Sequence, residues 1–338
     1  MLIALSGESG QWLTSRTDSR GTDLCVELGR IGIQCAADDE DRTIQGLVSF
    51  NHSGASLARA LRDGVPQNRR ILIAEEPPPV RPDQYHADVY ASYGLVVATS
   101  QDLAERIDHP NVQVLQIADF PDELLLDDEA SFIKREPGAV LIQANKFSCV
   151  PGELYSLRRS VIAGAQFRKI PLDVFGAEWN QGLRRDYARM RWAASNAGQS
   201  GGVSLTSLRW PGLPVARHRG SVMSKSETLK AYRVSLVIEN FRDYMSEKLL
   251  DSAGQAITVY VGPDLTQYQL SPHICISVAA RSRDILGRVK DILDLPGHQQ
   301  YEIYREQALA ARKDQVVQAT SSVHRRLVQV LVTAWDPV

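Results

Sequence analysis

The chain has 338 residues, 43% of them hydrophobic and 23% charged, and its 38 basic and 40 acidic side chains give a formal net charge of -2. Such a length allows about two domains, each able to bury a core of its own, and the composition excludes disordered and collagen-like chains. The near-balance of charge provides no global field toward nucleic acid, so no nucleic-acid partner is expected, although a local basic patch is compatible with it.

The opening stretch MLIALSGESGQWL lacks a basic segment followed by a long apolar one, and no later run approaches ~18 uninterrupted apolar residues. A cytoplasmic protein without a transmembrane segment is expected, with peripheral membrane contact left open. Cys25, Cys35, Cys149 and Cys275 are scattered without CxxC spacing, which indicates neither a zinc site nor a disulfide framework. The early GESG lacks the Gly-Lys-Ser/Thr ending of a phosphate-binding P-loop.

Short apolar runs then alternate with helical patterns: LIAL, GLVSF at 46–50, RILIA at 70–74, GLVVATS at 94–100 and VQVLQIA at 112–118. This is the rhythm of βαβ units around a parallel sheet. SGASLARALRDG at 53–64 reads as a crossover helix with a Ser cap before it and Gly64 behind it. The acidic DELLLDDEA and the KREPG after it read as a surface connection, which places a domain boundary between residues 137 and 138. A second α/β unit follows over 138–298: strand AVLIQAN, helix ELYSLRRSVIAGAQ, strand PLDVFGAEW, a polar segment at 195–207, helix SKSETLKAY, strand RVSLVIEN, helix SEKLLDSAG and strand AITVYVGP. From residue 299 onward Tyr301, Tyr304, Ala308, Ala311, Val323, Leu327 and Leu331 recur at mostly helical spacing, so a C-terminal helical tail with a break near Ser321 is expected.

Tyr244, Ser246, Glu247 and Lys248 fall between a buried-type strand and the first turn of the next helix. An anion is favoured at a helix start, and Lys248 adds a full positive charge. Glu247 would repel that anion but suits neutral hydroxyls such as those of a ribose. The structural alternative has comparable weight, because Ser246 is also a good N-cap and Glu247 a good first-turn residue.

KSETLKAYRVSLVIENFRDYMSEKLLDSAGQAITVYVGPDL resembles the C-terminal signature of the family 10 glycosyltransferases, the α-1,3/4-fucosyltransferases, in order and spacing. ILIAEEPP at 71–78, NKFSCVPGELYSLRR and LDVFG at 172–176 are similar to further segments of that family. The resemblance implies a GT-B architecture, two Rossmann-like domains facing across a cleft, and inverting transfer of fucose from GDP-fucose to a hydroxyl of a glycan or glycolipid, with no cofactor. It implies that Glu247 binds the ribose, that Tyr244 and Lys248 bind the diphosphate, that Arg159, with Arg158 as second choice, reaches the same phosphates, and that Lys225 and Asn240 line the donor site.

The acceptor hydroxyl needs a base. Glu75 aligns with the family's Glu-x-Pro strand end, Glu76 is its alternative, and neighbours on a strand point to opposite faces. Phe241 stands where the family has Ser or Thr, Thr258 where it has Pro, and the loop from Asn240 to Tyr244 is short. These departures make another nucleotide sugar the alternative donor, and a non-catalytic glycan- or nucleotide-binding relative the alternative of a different class. Asp39-Glu40-Asp41 forms an Asp-x-Asp outside any matching context, and no metal is assigned. His52, His86 and His273 have no partner at ligand spacing.

Overall fold

The apolar runs in the N-terminal part of the chain become parallel strands of one sheet. The structure, a computed structural model, describes residues 1–7, 19–36, 42–115, 120, 124, 126–197, 214–319 and 323–335. It divides into two units, Met1–Ile117 with Ala319–Val338, and Ala118–Gln318.

Unit 1 runs β1 (Leu2–Ser6), α1 (Ser19–Arg30), β2 (Gln34–Cys35), β3 (Gly46–Phe50), α2 (Gly54–Arg62), β4 (Arg70–Ala74), α3 (Ala87–Tyr90), β5 (Leu95–Ala98), α4 (Gln101–Ala104) and β6 (Val112–Val114). The sheet order is β2-β1-β3-β4-β5-β6, every pair parallel. β3, β4 and β5 are buried almost throughout, as expected of strands covered on both faces. The crossover helix α2 starts where Ser53 accepts the Ser56 N–H and is followed by Gly64 at φ 74°, the positive φ that favours glycine after a helix.

Unit 2 runs α5 (Glu129–Ile133), β7 (Glu136–Ile142), α6 (Tyr155–Phe167), β8 (Leu172–Phe175), α7 (Leu183–Ala197), α8 (Lys225–Ala231), β9 (Tyr232–Ile238), α9 (Glu247–Ser252), β10 (Ile257–Val261), β11 (Ile276–Ser277), α10 (Ser282–Leu293) and α11 (Gly297–Ala319). Its parallel sheet has the order β11-β10-β9-β7-β8. The β7–β9 register shifts between Glu136 and Ala139, where Pro137 has no N–H to donate to the ladder. One core cluster joins α6 and α10 to the sheet through Val161, Ile162, Ile285 and Leu286. Another joins α9, β10 and Ala311 of α11.

Two expectations about boundaries change. The first division lies at Ile117/Ala118 rather than 137/138, because the KREPG connection is not a surface link. Arg135 is buried and donates to the carbonyls of Tyr232 (3.4 Å) and Gln255 (2.5 Å) and to Asp127 (2.6 Å), and Phe132 stacks on Tyr304. The tail is broken where expected, between α11 and α12 (Val323–Trp335), but it does not stay together: α11 belongs to unit 2, whereas α12 packs Leu327, Val328, Leu331 and Trp335 against Leu24 and Leu28 of unit 1. The polar segment expected from residue 195 is preceded by α7 and lies mostly outside the described residues.

Candidate nucleotide-binding site

Both sheets place their second strand on one side of the first and their third on the other, so neighbouring crossovers leave in opposite directions between first and third. In open parallel sheets the crevice outside the carboxyl ends at such a switch point is where ligands bind. In unit 2 this point lies between β7 and β9, with Gln143 and Asn145 following the first and Glu239 and Asn240 following the second.

A buried polar layer lies closest to the strands. Arg158 on α6 is 2% exposed; its Nε and Nη2 donate to the Ile238 carbonyl (3.1 and 2.6 Å), and Nη2 also donates to Asn240 Oδ1 (2.8 Å). Glu239 is fully buried and accepts the Ser246 N–H (3.1 Å) and the Ser246 hydroxyl (2.6 Å). Burial raises the Glu239 carboxyl above its ordinary range, against the opposing pull of Lys248 and the Ser246 hydrogen bonds. Gly262 makes room for this arrangement: a Cβ there would lie 2.2 Å from the Tyr260 hydroxyl and 2.8 Å from Glu239 Cγ.

Above that layer the charges reach solvent. Lys248 Nζ donates to Ser246 Oγ (2.9 Å), so Lys248, Ser246 and Glu239 form one hydrogen-bonded relay. Lys225 lies 2.9 Å from Asp251 and 3.5 Å from Glu247. Glu247 keeps 54% of its side chain exposed, and although burial pushes its carboxyl up, Lys248 and Lys225 outweigh this and hold it below the ordinary carboxylate range. Lys225 shifts the opposite way: burial lowers it, but the hydrogen bond and charge of Asp251 raise it further. A small cavity among these groups is lined by Gln143, Lys225, Lys248, Asp251 and Ser252.

The residues singled out from the sequence therefore do not form one cluster. Lys225, Glu247 and Lys248 gather at the solvent side of the switch point. Arg158 and Asn240 hold each other beneath it, so the fixing of the β9 end occupies the Arg158 guanidinium. Arg159 turns elsewhere: its Nη1 donates to the Lys146 carbonyl (2.7 Å), its guanidinium stacks 4.0 Å above Phe147, and burial pulls its pKa down to about 10. Tyr244 is 7% exposed and its N–H donates to the Phe241 carbonyl. The helix that follows has six residues, so its dipole is small and Lys248 supplies the charge that an anion would meet.

The side chains at the two substituted positions, Phe241 and Thr258, have structural reasons. Phe241 is fully buried against Gly152, whose φ of 92° and lack of a Cβ let the ring approach. Thr258 lies inside β10, where its N–H donates to Gln307 Oε1 (2.8 Å) and its hydroxyl meets Ser252 (2.9 Å). A proline there would have no such N–H.

In unit 1 the switch point lies between β1 and β3. Ser6 and Ser56 share a 2.5 Å hydroxyl contact and Ser56 donates to Ser53. Asn51, at φ 61°, accepts the Glu76 N–H through Oδ1 (2.8 Å). β4 ends at Ala74, and a tight turn in which the Glu75 N–H donates to the Ile73 carbonyl (2.9 Å) follows. Strand alternation therefore does not govern Glu75 and Glu76, both half-buried ahead of the buried Pro77, Pro78 and Pro79. The Glu76 carbonyl is held by Gln84 (2.6 Å) and Tyr85 (3.0 Å). His52 sits beside this turn with Nδ1 3.1 Å from the Tyr93 hydroxyl; burial lowers its pKa.

Sequence reasoning missed Gln143 and Glu239. Gln143 donates from Nε2 to the Ile238 carbonyl (2.6 Å) while its Oε1 is buried without a hydrogen-bond partner. The available signal was a polar residue ending an apolar strand run. Asp39-Glu40-Asp41 and most of GESG lie outside the described residues. Among the described residues no group of three His, Cys, Asp or Glu side chains could hold a metal ion, and no helix is long and apolar enough to cross a membrane.

No protein-family model and no curated protein sequence matches the chain. Solved structures do. The β-glucosyltransferase of phage T4 in complex with its UDP-glucose substrate superposes with a TM-score of 0.56 at 12% identity, over 98% of this chain and 99% of that one. A β-glucosyltransferase described as a DNA-modifying enzyme gives 0.55 at 12% identity over the same shares. The UDP-forming α,α-trehalose-phosphate synthase of Burkholderia xenovorans, in complex with glucose-6-phosphate, gives 0.51 at 11% identity over 86% of this chain and 73% of that one. At such identities the likeness establishes architecture, and with two doubly wound parallel sheets in one chain it gives this protein the GT-B fold.

Proposed function

We propose that the protein is a glycosyltransferase that binds a nucleoside diphosphate sugar at the β7/β9 switch point of unit 2. The observation that carries this reading is that Lys225 and Lys248 line one cavity at that point, with Glu247 beside it in an ion pair to Lys225 (3.5 Å). Lys248 faces the diphosphate as a point charge, Glu247 accepts from ribose hydroxyls, and Lys225 fixes Glu247 through its ion pair. The positive side chains offset the leaving diphosphate in transfer, and the reading requires no divalent ion; full activity in EDTA is expected.

The donor on the family resemblance is GDP-fucose. A second reading, a UDP-hexose, is favoured by the phage enzyme, which matches over nearly the whole chain and is described with UDP-glucose. Thermal unfolding of the full chain with saturating GDP, GDP-fucose, UDP and UDP-glucose separates them, because a ligand that binds only the native state raises the melting temperature. A shift with guanine nucleotides alone supports the first donor and a shift with uridine nucleotides alone the second; no shift with either sinks the site assignment.

In the transfer step the acceptor oxygen attacks the anomeric carbon as the bond to the diphosphate breaks, and Glu75 takes the hydroxyl proton, with inversion. Glu76 is the alternative base. The family resemblance gives a glycan or glycolipid hydroxyl as acceptor. The β-glucosyltransferase described as DNA-modifying adds a DNA acceptor as the comparison to run beside it.

A further inference from the structure

A second charged cavity lies at the other end of the same sheet. It is an open groove of about 660 Å³ over the first residues of β7 and β9 and over β8, lined among others by Lys134, Arg219, Lys230, Glu136, Phe175 and Tyr232. At its base Asp173, 2% exposed, accepts hydrogen bonds from the Tyr232 hydroxyl (2.7 Å), from Arg219 Nε (3.2 Å) and from Arg217 Nε. Burial by itself raises the Asp173 carboxyl, but these three donors hold it below the ordinary range, so it is ionised at neutral pH.

One carboxylate thus holds two guanidinium groups and leaves one positive charge over. Both arginines use Nε for Asp173, and among the described residues their terminal nitrogens make no other hydrogen bond; the side chains are 39% and 52% exposed. A guanidinium anchored by Nε presents its Nη edge in a fixed direction, the geometry in which arginine binds phosphate oxygens in pairs. Lys134 and Lys230 add two cations on the groove walls, against the exposed Glu136. The charge of the nearby Arg135 is already taken by Asp127.

Structure alone does not require this surplus. The segment carrying Arg217 and Arg219 is held on β8 by its backbone, through the Val174 N–H to the Arg217 carbonyl (3.0 Å) and the Arg219 N–H to the Val174 carbonyl (2.9 Å). One arginine would neutralise Asp173. The second arginine and both lysines face a groove that is large enough for a small ligand, with the half-buried Phe175 ring, edge-on to Tyr232 (6.3 Å), beside the cations.

We propose that this groove binds a phosphate or diphosphate ester group, held by Arg219, Lys230 and Lys134, at a site separate from the nucleotide-sugar site at the carboxyl ends of the strands. The group is carried either by a small soluble molecule or by a phospholipid head, and the chemistry of capture is the same.

The test uses the full chain and inorganic pyrophosphate, measured by titration calorimetry in the Lys248→Ala background so that the first site is weakened. Binding that persists there and falls about tenfold for each cation removed, in Lys230→Gln and in Arg219→Gln, is expected. Lys134→Gln and Lys230→Gln have no contact with Asp173, so they report on the groove even where Arg219→Gln unfolds the chain. Pyrophosphate binding that is unchanged in all of these variants overturns the proposal. A parallel arm measures sedimentation with phosphatidic acid vesicles: a response lost in Lys230→Gln, without a response to pyrophosphate, identifies the lipid head as the source. No Lys230-dependent binding in either arm overturns the site, and so does a groove-dependent preference for duplex DNA over both probes.

Discussion

The two sheets share a topology but build their switch points from opposite materials. In unit 1 the groups at and beside the ends of the first and third strands are, among the described residues, mainly neutral: Ser6, Ser49, Asn51, Ser53 and Ser56, paired mostly hydroxyl to hydroxyl or to backbone. In unit 2 the same place holds Arg158, Glu239, Lys248, Glu247, Lys225 and Asp251, with a buried ionisable layer beneath a solvated one. A topology therefore sets where a ligand can sit, and the residues at the strand ends set which ligand. The charged edge suits a diphosphate. The neutral edge suits a ligand rich in hydroxyls.

The largest expected effect tests that division of labour. Glu75→Gln retains shape but cannot accept a proton, so transfer should fall by ~10²–10⁴ while donor affinity stays unchanged. Initial rates and donor binding measured on the same folded variant decide it. A variant with full transfer rate removes Glu75 as the base; if Glu76→Gln is then the inactive one, the role passes to its neighbour.

The next effect compares the two edges as structures. Arg158→Met leaves Asn240 Oδ1 without its donor and the Ile238 carbonyl with Gln143 Nε2 as its remaining side-chain donor, and takes a cation away from the buried surroundings of Glu239. Removing one member of a buried charged network costs about 3–5 kcal/mol. Ser56→Ala in unit 1 removes only neutral hydroxyl contacts, with an expected loss of about 1 kcal/mol. Denaturant unfolding monitored for both variants should show the larger loss in the first; equal losses would mean that the charged layer is no more demanding than the neutral one.

Third in size is donor binding itself. Lys248→Ala should weaken nucleoside diphosphate affinity by about 1.5–3 kcal/mol, the range for hydrogen bonds to charged groups, or roughly tenfold to more than a hundredfold. Unchanged affinity would leave Lys248 as the solvated end of a helix and nothing more.

Much of this division was legible before any coordinates. Strand runs such as RILIA and RVSLVIEN give their position by unbroken apolar character, and Lys225, Glu247 and Lys248 stand out because charge is concentrated between two such runs. What a sequence does not show is which polar side chain turns inward. Arg158 and Arg159 are adjacent on one helix, yet one binds the end of β9 and the other stacks on Phe147, a difference set by tertiary partners. Glu239 read as a strand-end residue, and only the approach of Ser246 and the space left by Gly262 make it the buried base of the relay. The domain boundary escaped for the same reason: the polar look of KREPG conceals a buried Arg135 whose hydrogen-bond partners Asp127, Tyr232 and Gln255 all belong to unit 2.

The smallest effect is a pH dependence that only the charged edge should show. Glu239 is fully buried and its carboxyl is raised above the ordinary value of 4.5, chiefly by burial, while Lys248 and the Ser246 donors oppose this and Glu247 adds to it. The folded chain thus holds this proton more tightly than the unfolded chain. Stability from the protonated form is fully present below the unfolded value and is lost as pH rises through the raised folded one, with a slope of at most about 1.4 kcal/mol per pH unit for a single proton. Other carboxylates titrate nearby, so the measurement is a difference: unfolding free energy of the native chain minus that of Glu239→Gln, which keeps the shape and an acceptor for the Ser246 N–H but does not titrate. That difference should fall as pH rises above 4.5. Adding saturating donor at Lys248 should leave its sign unchanged. A difference that is flat across the same window would mean that Lys248 and Ser246 offset the burial completely, and the two switch points would then differ in their ligands but not in their response to protons.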